Sequence, residues 1–343
     1  MNKIFYLKLS SLVAFMCIPM MIFSQDIHYS NFGFSPLNTN PALTGLFPGD
    51  VRLNGSYRSQ WQGVPVSYST YTLGADMRLG DDAKNPNRPW SVGALINYDQ
   101  AGWSRLNNLS AGLSGAYKLP INKSNFLSIG LMGGFGQRRF QTDDLTWDDQ
   151  FREKQFDPNF ISTDNATFNR THTYLDASTG LNFHHQKPGK RTSFDLGVGY
   201  FHFNNPNKSF IDDPKVGLES RYNLYAGGNI QLTRLFDLMV EGVFQYQGPH
   251  REFVGNVGGR IYLVDKKTKQ IALQLGISLR GADAFSPHVG LIYNNWRASL
   301  NFDTNYSNFQ TASNKLGGPE VSVIYIFGKV PPGQYCPVCP IHL

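Results

Sequence analysis

The sequence is poor in charge and in cysteine, and it lacks a long hydrophobic run after its amino-terminal segment. Asp, Glu, Lys and Arg make up 16% of the 343 residues, and there are 3 cysteines. A helix that crosses a bilayer needs about 18 or more consecutive apolar residues, and no later stretch reaches that length, which excludes a helical membrane protein. Patterns of serine hydrolases, zinc peptidases and phosphate-binding loops are missing. No basic patch carries interleaved aromatic residues, so we expect no nucleic-acid partner.

Glycine and aromatic residues, by contrast, are abundant. The chain holds 34 glycines, and 14% of its residues are aromatic. Low charge combined with many Tyr, Phe and Gly is typical of a membrane β-barrel. The mean hydropathy of −0.31 agrees with such a barrel because half of each strand faces a polar interior.

The first residues predict a secretory signal. Lys3 and Lys8 form a positive start, and an apolar run of about 12 residues from Leu12 to Phe23 follows them. This run is too short to span a bilayer, and the small residue Ser24 suggests cleavage before about Gln25. The alternative is a retained anchor helix.

One decapeptide, IALQLGISLR at Ile271–Arg280, shows the pattern that organises the chain. Its odd-numbered positions are all Ile or Leu, whereas its even-numbered positions are Ala, Gln, Gly, Ser and Arg. Successive side chains of a strand point to opposite faces, so this strand has one apolar and one polar face. A strand between lipid and a wet lumen requires this alternation.

The same alternation recurs along the chain and predicts an all-β fold. We expect a transmembrane antiparallel β-barrel of about 14 strands with a polar lumen. The long connections 141–171 and 204–219 would lie outside the cell, and the short turns would face the periplasm. The strands are expected near residues 51–58, 70–77, 91–99, 106–118, 126–139, 172–184, 192–203, 222–232, 236–246, 253–263, 271–280, 288–293, 297–306 and 320–327.

The chain outside the barrel has two further parts besides the signal. Pro36, Pro41 and Pro48 interrupt regular structure before the first strand, while four aromatic residues there predict packing against the barrel. The alternative is an ordered leader to the first strand. The expected parts are a signal peptide (1–24), an irregular segment (25–50), the barrel (51–327) and a periplasmic tail (328–343).

Three short motifs lie near the start of the barrel. They are Asn40-Pro41-Ala42-Leu43-Thr44-Gly45, Tyr57-Arg58-Ser59-Gln60-Trp61 and Ala75-Asp76. In this order they resemble the amino-terminal signature of the PorP/SprF family, outer-membrane proteins associated with the type IX secretion system of Bacteroidetes. Leu43-Thr44 departs from the family, which more often has an aromatic and a small residue there. The family-motif residues are Asn40, Pro41, Ala42, Gly45, Arg58, Gln60, Trp61 and Asp76.

The resemblance implies a non-enzymatic protein of the Gram-negative outer membrane that needs no cofactor. It implies partners in the periplasmic and outer-membrane components of the secretion and gliding machinery, with outer-membrane lipid around the barrel. Some family members support the export or surface attachment of one large secreted adhesin. That adhesin, or its C-terminal sorting domain, is therefore a further expected partner.

The residues give no sign of a catalytic, cofactor or metal site. His184 and His185 are adjacent on a strand and therefore point apart. Asp237 and Glu241 could form the carboxylate pair of an enzyme, but no Ser–His arrangement accompanies them, so we expect inward carboxylates to pair with inward arginines. In the tail, Cys336 and Cys339 are candidates for a disulfide, and a redox pair or half of a zinc site are the alternatives.

The long loop 141–171 is the expected docking surface for cargo because it is acidic and rich in aromatic residues, which are enriched at binding hot spots. The alternative is a loop that folds inward and plugs the lumen. Two other functions stay open, namely a porin or channel and an outer-membrane enzyme. The candidate partner-binding residues are Asp143, Asp144, Trp147, Asp148, Asp149, Phe151, Phe156 and Phe160.

Overall fold

The computed structural model describes residues 26–61, 67–80, 89–102, 105–141, 145–152, 155–163, 171–187, 189–211, 213–266, 269–281, 283–307 and 310–328. The expected signal peptide and the candidate residues Asp143, Asp144, Cys336 and Cys339 lie outside the described residues, as does the tail after residue 328.

Fourteen antiparallel strands close into one barrel, which confirms the predicted fold class. Each strand pairs with its sequence neighbours in the barrel, and the first strand closes on the last, with Val51 opposite Phe327 and Arg58 opposite Glu320. The barrel strands are β1 (Val51–Gln60), β2 (Tyr68–Arg78), β3 (Trp90–Ala101), β4 (Leu106–Pro120), β5 (Asn125–Arg139), β8 (Thr171–Gln186), β9 (Ser193–Phe201), β10 (Arg221–Gln231), β11 (Phe236–Gln247), β12 (His250–Lys266), β13 (Lys269–Arg280), β14 (Ala284–Tyr293), β15 (Trp296–Asn305) and β16 (Leu316–Phe327).

Two very short strands were not predicted. β6 (Phe151–Arg152) and β7 (Gln155–Phe156) pair with each other in a separate two-stranded sheet inside the long loop. Two residues are too few to show an alternation, which is why the sequence pattern does not reveal them.

The expected strand 288–293 begins four residues too late, because β14 already begins at Ala284. Pro287 lies within the strand, opposite Ile277 of β13. Proline has no N–H to give to a ladder, and the β14–β15 ladder skips the positions of Ser286 and Pro287. The strand therefore continues through Pro287 although this residue has no N–H to donate.

The outer wall of the barrel is a continuous apolar band. On β13, Leu275, Ile277 and Leu279 are about half exposed, whereas the alternating residues Ser278 and Arg280 are buried on the inside. Aromatic pairs lie towards both ends of the strands, such as Tyr57–Tyr71 at one end and Trp90–Tyr117 at the other. An apolar band with aromatic girdles at its two edges is the outer surface of a transmembrane barrel.

The connections differ sharply between the two ends of the barrel. One end, the long-loop end, carries residues 140–170 and 202–220 and the connection with the short helix Gln310–Ser313. The other, the short-turn end, carries turns such as 121–124, 232–235 and 294–295, with residues 79–89 as a longer exception. Bacterial barrels place their long loops outside the cell and their short turns in the periplasm.

Residues 26–50, called the lumen segment below, run through the barrel interior from the long-loop end to the short-turn end. The backbone N–H of Asp26 donates to Gln247 at the end of β11 (3.0 Å), and that of Asp50 donates to the carbonyl of Phe327 (2.7 Å). Between them lie three single turns of helix, Phe32–Phe34, Pro36–Thr39 and Pro41–Leu43. Two of these turns start with proline, which suits a first helical position because that position needs no N–H donor.

No helix within these described ranges combines the length and the apolar character that a bilayer crossing needs.

Candidate functional site

The first family motif, Asn40-Pro41-Ala42, lies against a row of glycines in the barrel wall. Gly130 of β5 is opposite Gly180 of β8, and Gly180 is opposite Gly199 of β9. A β-carbon on Gly130 would overlap the carbonyl group of Pro41, and one on Gly180 would overlap the side chain of Asn40. Only glycine lets the lumen segment come this close to the wall.

Asn40 holds this contact by hydrogen bonds as well as by shape. Its side-chain oxygen accepts from the backbone N–H of Ala42 (2.8 Å), which caps the third helical turn. Its side-chain nitrogen donates to the carbonyl of Leu181 in β8 (2.8 Å). The buried amide is thus satisfied on both sides, so removing it would leave unpaired backbone groups in the lumen.

The motif residues Gly45 and Asp76 meet each other directly. The carboxylate of Asp76 accepts from the N–H of Gly45 (2.7 Å) and from Nε and Nη2 of Arg52 (2.8 and 2.7 Å). Gly45 has φ +74°, a conformation that favours glycine. A fully buried two-point ion pair therefore fixes a turn of the lumen segment.

Arg58, from the second motif, belongs to a buried charge network that crosses the closing strands. Its Nη2 lies 2.6 Å from Asp303, which also accepts from Arg280 at 2.9 Å. Glu320 accepts from the backbone N–H of Ser30 at 2.8 Å. Since a buried charge is tolerated when it is paired and hydrogen-bonded, these inward residues attach the lumen segment to β1, β13, β15 and β16.

The remaining motif residues, Gln60 and Trp61, lie at the long-loop end of β1 rather than against the lumen segment. Trp61 has φ +56° and donates its N–H to the carbonyl of Gly317 (2.8 Å). Its ring meets that of Tyr68 edge-on, with centroids 5.1 Å apart. Most of the family-motif residues therefore lie in one interface, between the lumen segment and the barrel wall. Gln60 and Trp61 lie apart from it, at the rim of the barrel.

The amino end of the lumen segment is held by an ionic cluster at the long-loop end. His202 lies 2.5 Å from Asp26 and 2.8 Å from Asp176, and Arg221 lies 3.4 Å from Asp26. Burial alone would lower the pKa of His202, but the two carboxylates raise it to about 9. Burial likewise opposes ionisation of Asp26, yet His202 and Arg221 keep the pKa of that carboxyl well below its usual value.

The two carboxylates considered for an enzyme have separate environments. Asp237 is buried and accepts from Arg191 Nε (2.9 Å) and from the Tyr262 hydroxyl (3.1 Å). Glu241 instead lines cavities beside the lumen segment, one of which also contains Arg260. Asp237 is therefore ion-paired, but with Arg191 from the turn between β8 and β9 and not with an inward arginine of a strand.

The adjacent histidines also point apart, as their positions on a strand predict. His184 Nδ1 lies 2.9 Å from Asp195 inside the lumen, and His185 Nδ1 lies 2.8 Å from Asn125 Oδ1. Within the part of the chain that the structure describes, no three His, Cys, Asp or Glu side chains are grouped so as to hold a metal ion.

The described part of the long loop has its own internal structure around Gln150. The side chain of Gln150 accepts from the N–H of Trp147 (2.8 Å) and donates to the carbonyl of Phe160 (2.9 Å). Asp149 accepts from both the N–H and the hydroxyl of Thr163 (3.0 and 3.1 Å). A polar frame of hydrogen bonds therefore holds the described part of the loop around the β6–β7 hairpin.

The frame leaves apolar side chains exposed on the hairpin. Phe151 and Phe156 are opposite each other in the β6–β7 pair and are 63% and 46% exposed, and Ile161 is 79% exposed. Asp148 is exposed and Trp147 half-buried, while Phe160 lies under the guanidinium of Arg152 at 3.4 Å. Of the described candidates, Phe151 and Phe156 are the most available for contact.

Sequence reasoning missed the glycine row and Ile161. The glycines Gly130, Gly180 and Gly199 occupy inward positions on three neighbouring strands, and that coincidence is the signal that could have revealed them. Ile161 belongs to no motif or alternation, so its exposure follows only from the three-dimensional structure.

The fold and the lipid-facing band define an outer-membrane β-barrel whose lumen is occupied by its own amino-terminal segment. Residues 22–325 match the family of type IX secretion system membrane proteins PorP/SprF. The chain belongs to this family, which confirms the resemblance inferred from its motifs.

Solved structures with a similar fold are remote in sequence. The toluene transporter TbuX of Ralstonia pickettii is 10% identical with a TM-score of 0.46, covering 84% of this chain and 92% of that one. The toluene transporter TodX of P. putida is 11% identical with a TM-score of 0.46, covering 83% and 91%. A FadL homologue of Pseudomonas aeruginosa is 9% identical with a TM-score of 0.38, covering 84% and 93%. A search of curated proteins finds no match.

Proposed function

We propose that this protein is a non-enzymatic barrel of the type IX secretion system that holds an exported surface protein at its long-loop end. The expected cargo is a large secreted adhesin or its C-terminal sorting domain, and the short turns face periplasmic machinery. Family membership supports the association with secretion.

The observation that carries the docking proposal is the exposed hairpin in the long loop. Phe151, Phe156 and Ile161 are exposed on a loop beyond the barrel strands, outside the band that lipid covers. Large apolar side chains that remain in water mark an interaction surface when they occur together. Aromatic residues in particular supply contact area at binding hot spots.

The test replaces these three side chains by serine and follows the cargo. Phe151→Ser, Phe156→Ser and Ile161→Ser together should leave the barrel in the membrane and release cargo from the cell surface into the medium. The matched control is Ile121→Ser, which removes a 58% exposed apolar residue from a short turn and should not release cargo. Cargo that stays on the surface in the triple variant would refute docking on the hairpin.

A further inference from the structure

Three neighbouring turns at the short-turn end are rich in positive charge. They join β8 to β9, β10 to β11 and β12 to β13, and these six strands follow one another around the barrel. Residues 187–192, 232–237 and 265–269, called the basic rim below, contain seven lysines and arginines and two aspartates, whereas the next turn along, 294–295, is uncharged. The exposed cations of the basic rim are Lys187, Lys190, Arg234, Lys266 and Lys269.

The side chain of Arg191, which is 15% exposed, holds the three turns together. Its Nε donates to Asp237 (2.9 Å), and its Nη1 donates to Asp265 (3.0 Å). Its Nη2 donates to the carbonyl of Arg234 (2.8 Å), and its guanidinium lies 4.1 Å from the ring centre of Tyr262. Arg191 therefore binds both aspartates of the basic rim and fixes the turns that carry the exposed cations. A surface that is already fixed loses less conformational freedom when a partner binds.

The basic rim borders directly on the apolar outer wall. Leu232 and Leu235 lie in the same turn as Arg234 and are 56% and 54% exposed. Leu263, three residues before Lys266 on β12, is 65% exposed. Lysine and arginine at the edge of a lipid-facing surface lay their stems along apolar groups and hold their charges at the level of the lipid headgroups. The basic rim thus combines positive charge with apolar surface.

This combination fits a phospholipid better than a protein partner. A stable protein interface needs roughly 800 Å² from each side, and turns of a few residues do not supply that area. A phospholipid needs only a few cations for its phosphate and an apolar wall for its acyl chains. Clusters of lysine and arginine beside a membrane attract anionic lipids in this way.

We propose that the basic rim binds an anionic phospholipid of the periplasmic leaflet. Its phosphate lies between the exposed cations of neighbouring turns, and its acyl chains follow Leu232, Leu235 and Leu263. Neighbouring turns are two strands apart, roughly 10 Å, so long side chains from two turns reach the same headgroup. Arg191 acts as a positioning residue for these turns. The site is independent of cargo docking, because it lies at the opposite end of the barrel from the hairpin.

Lipid retention by the folded barrel tests this site. The protein is placed in nanodiscs of phosphatidylethanolamine and phosphatidylglycerol in equal amounts and extracted in mild detergent, and the lipids that stay bound are quantified by mass spectrometry. The wild type should retain phosphatidylglycerol in several-fold excess. Lys187→Gln combined with Lys266→Gln should reduce that excess several-fold, because each lysine near anionic lipid contributes about fivefold to binding. The matched control, Lys215→Gln with Lys315→Gln, neutralises two exposed lysines of the long-loop end and should keep the excess.

Salt gives a second measurement on the unchanged protein. Between about 0.01 M and 1 M salt the Debye length falls from roughly 30 Å to 3 Å, so the excess of phosphatidylglycerol should fall steeply with salt. An equal excess in the wild type and in the Lys187→Gln, Lys266→Gln variant, with both barrels folded by their heat-dependent gel migration, would overturn the proposal. A wild type without lipid preference would also overturn it, and an acidic periplasmic protein would then be the partner that fits the basic rim.

Discussion

At the scale of single residues, the lumen segment is held by close backbone contact as much as by charge. Gly130 allows the chain at Pro41 to lie directly on β5, and Asp76 binds both Gly45 and Arg52. These contacts explain why the family motif joins residues from three separate stretches of sequence, since they form one interface in the folded protein.

Adding one methyl group at the glycine row should displace the lumen segment. Gly130→Ala places a β-carbon against the backbone of Pro41, and overpacking of this kind costs about 1–3 kcal/mol. Urea unfolding in detergent and protease digestion of residues 26–50 would measure both effects. Gly133→Ala is the control, because the same strand there faces outward with nothing within 4 Å. Equal effects of the two substitutions would contradict the close contact between Gly130 and the backbone of Pro41.

The ionic cluster at the amino end of the lumen segment predicts that the stability of the fold decreases at alkaline pH. The pKa of His202 is raised from 6.5 to about 9. The contribution of the protonated histidine to the stability of the folded barrel is therefore fully present below pH 6.5, and it is lost as the pH rises through about 9. The loss should be about 1–3 kcal/mol of unfolding free energy. His202→Gln removes this titration, and an identical alkaline loss in that variant would show that other groups cause it.

At the scale of elements, strict alternation made the barrel strands predictable. The pattern of β13, Ile or Leu outward and small or polar inward, is continuous over ten residues and identifies the strand without tertiary information. The predicted start of β14, at residue 288, was four residues late, and the ladder gap that accommodates Pro287 within the strand involves β15. The path of residues 26–50 through the lumen was not predictable, because it depends on glycines from three strands.

The lipid-facing band predicts that a charged side chain on the outer wall destabilises the barrel by an amount that depends on its depth in the membrane. Leu275 lies midway along β13 and is 47% exposed on the outer wall, so Leu275→Arg should destabilise the barrel by about 2–4 kcal/mol. Leu279, next to the end of the strand, should tolerate Leu279→Arg at a cost of about 0–1 kcal/mol. Folding into lipid vesicles followed by urea titration would compare them. Equal stability of the wild type and Leu275→Arg would show that Leu275 does not lie in the lipid-facing band.

At the scale of the whole molecule, the two ends of the barrel offer different surfaces. The long-loop end presents a structured hairpin with exposed Phe151 and Phe156, whereas the short-turn end presents small turns that bury little area. A stable interface needs roughly 800 Å² from each partner, which short turns do not supply. Family membership was predictable from the motifs, but the exposure of Phe151 and Phe156 follows only from the three-dimensional structure.

The central claim is that exported cargo is held at the long-loop end, and in-cell photocross-linking tests it most directly. A photoreactive amino acid at Phe156, in the hairpin, should cross-link to a secreted surface protein that carries a C-terminal sorting domain. The same amino acid at Lys123, exposed in the short turn between β4 and β5, should not. Cross-links to that cargo from position 123 and none from position 156 would contradict the account.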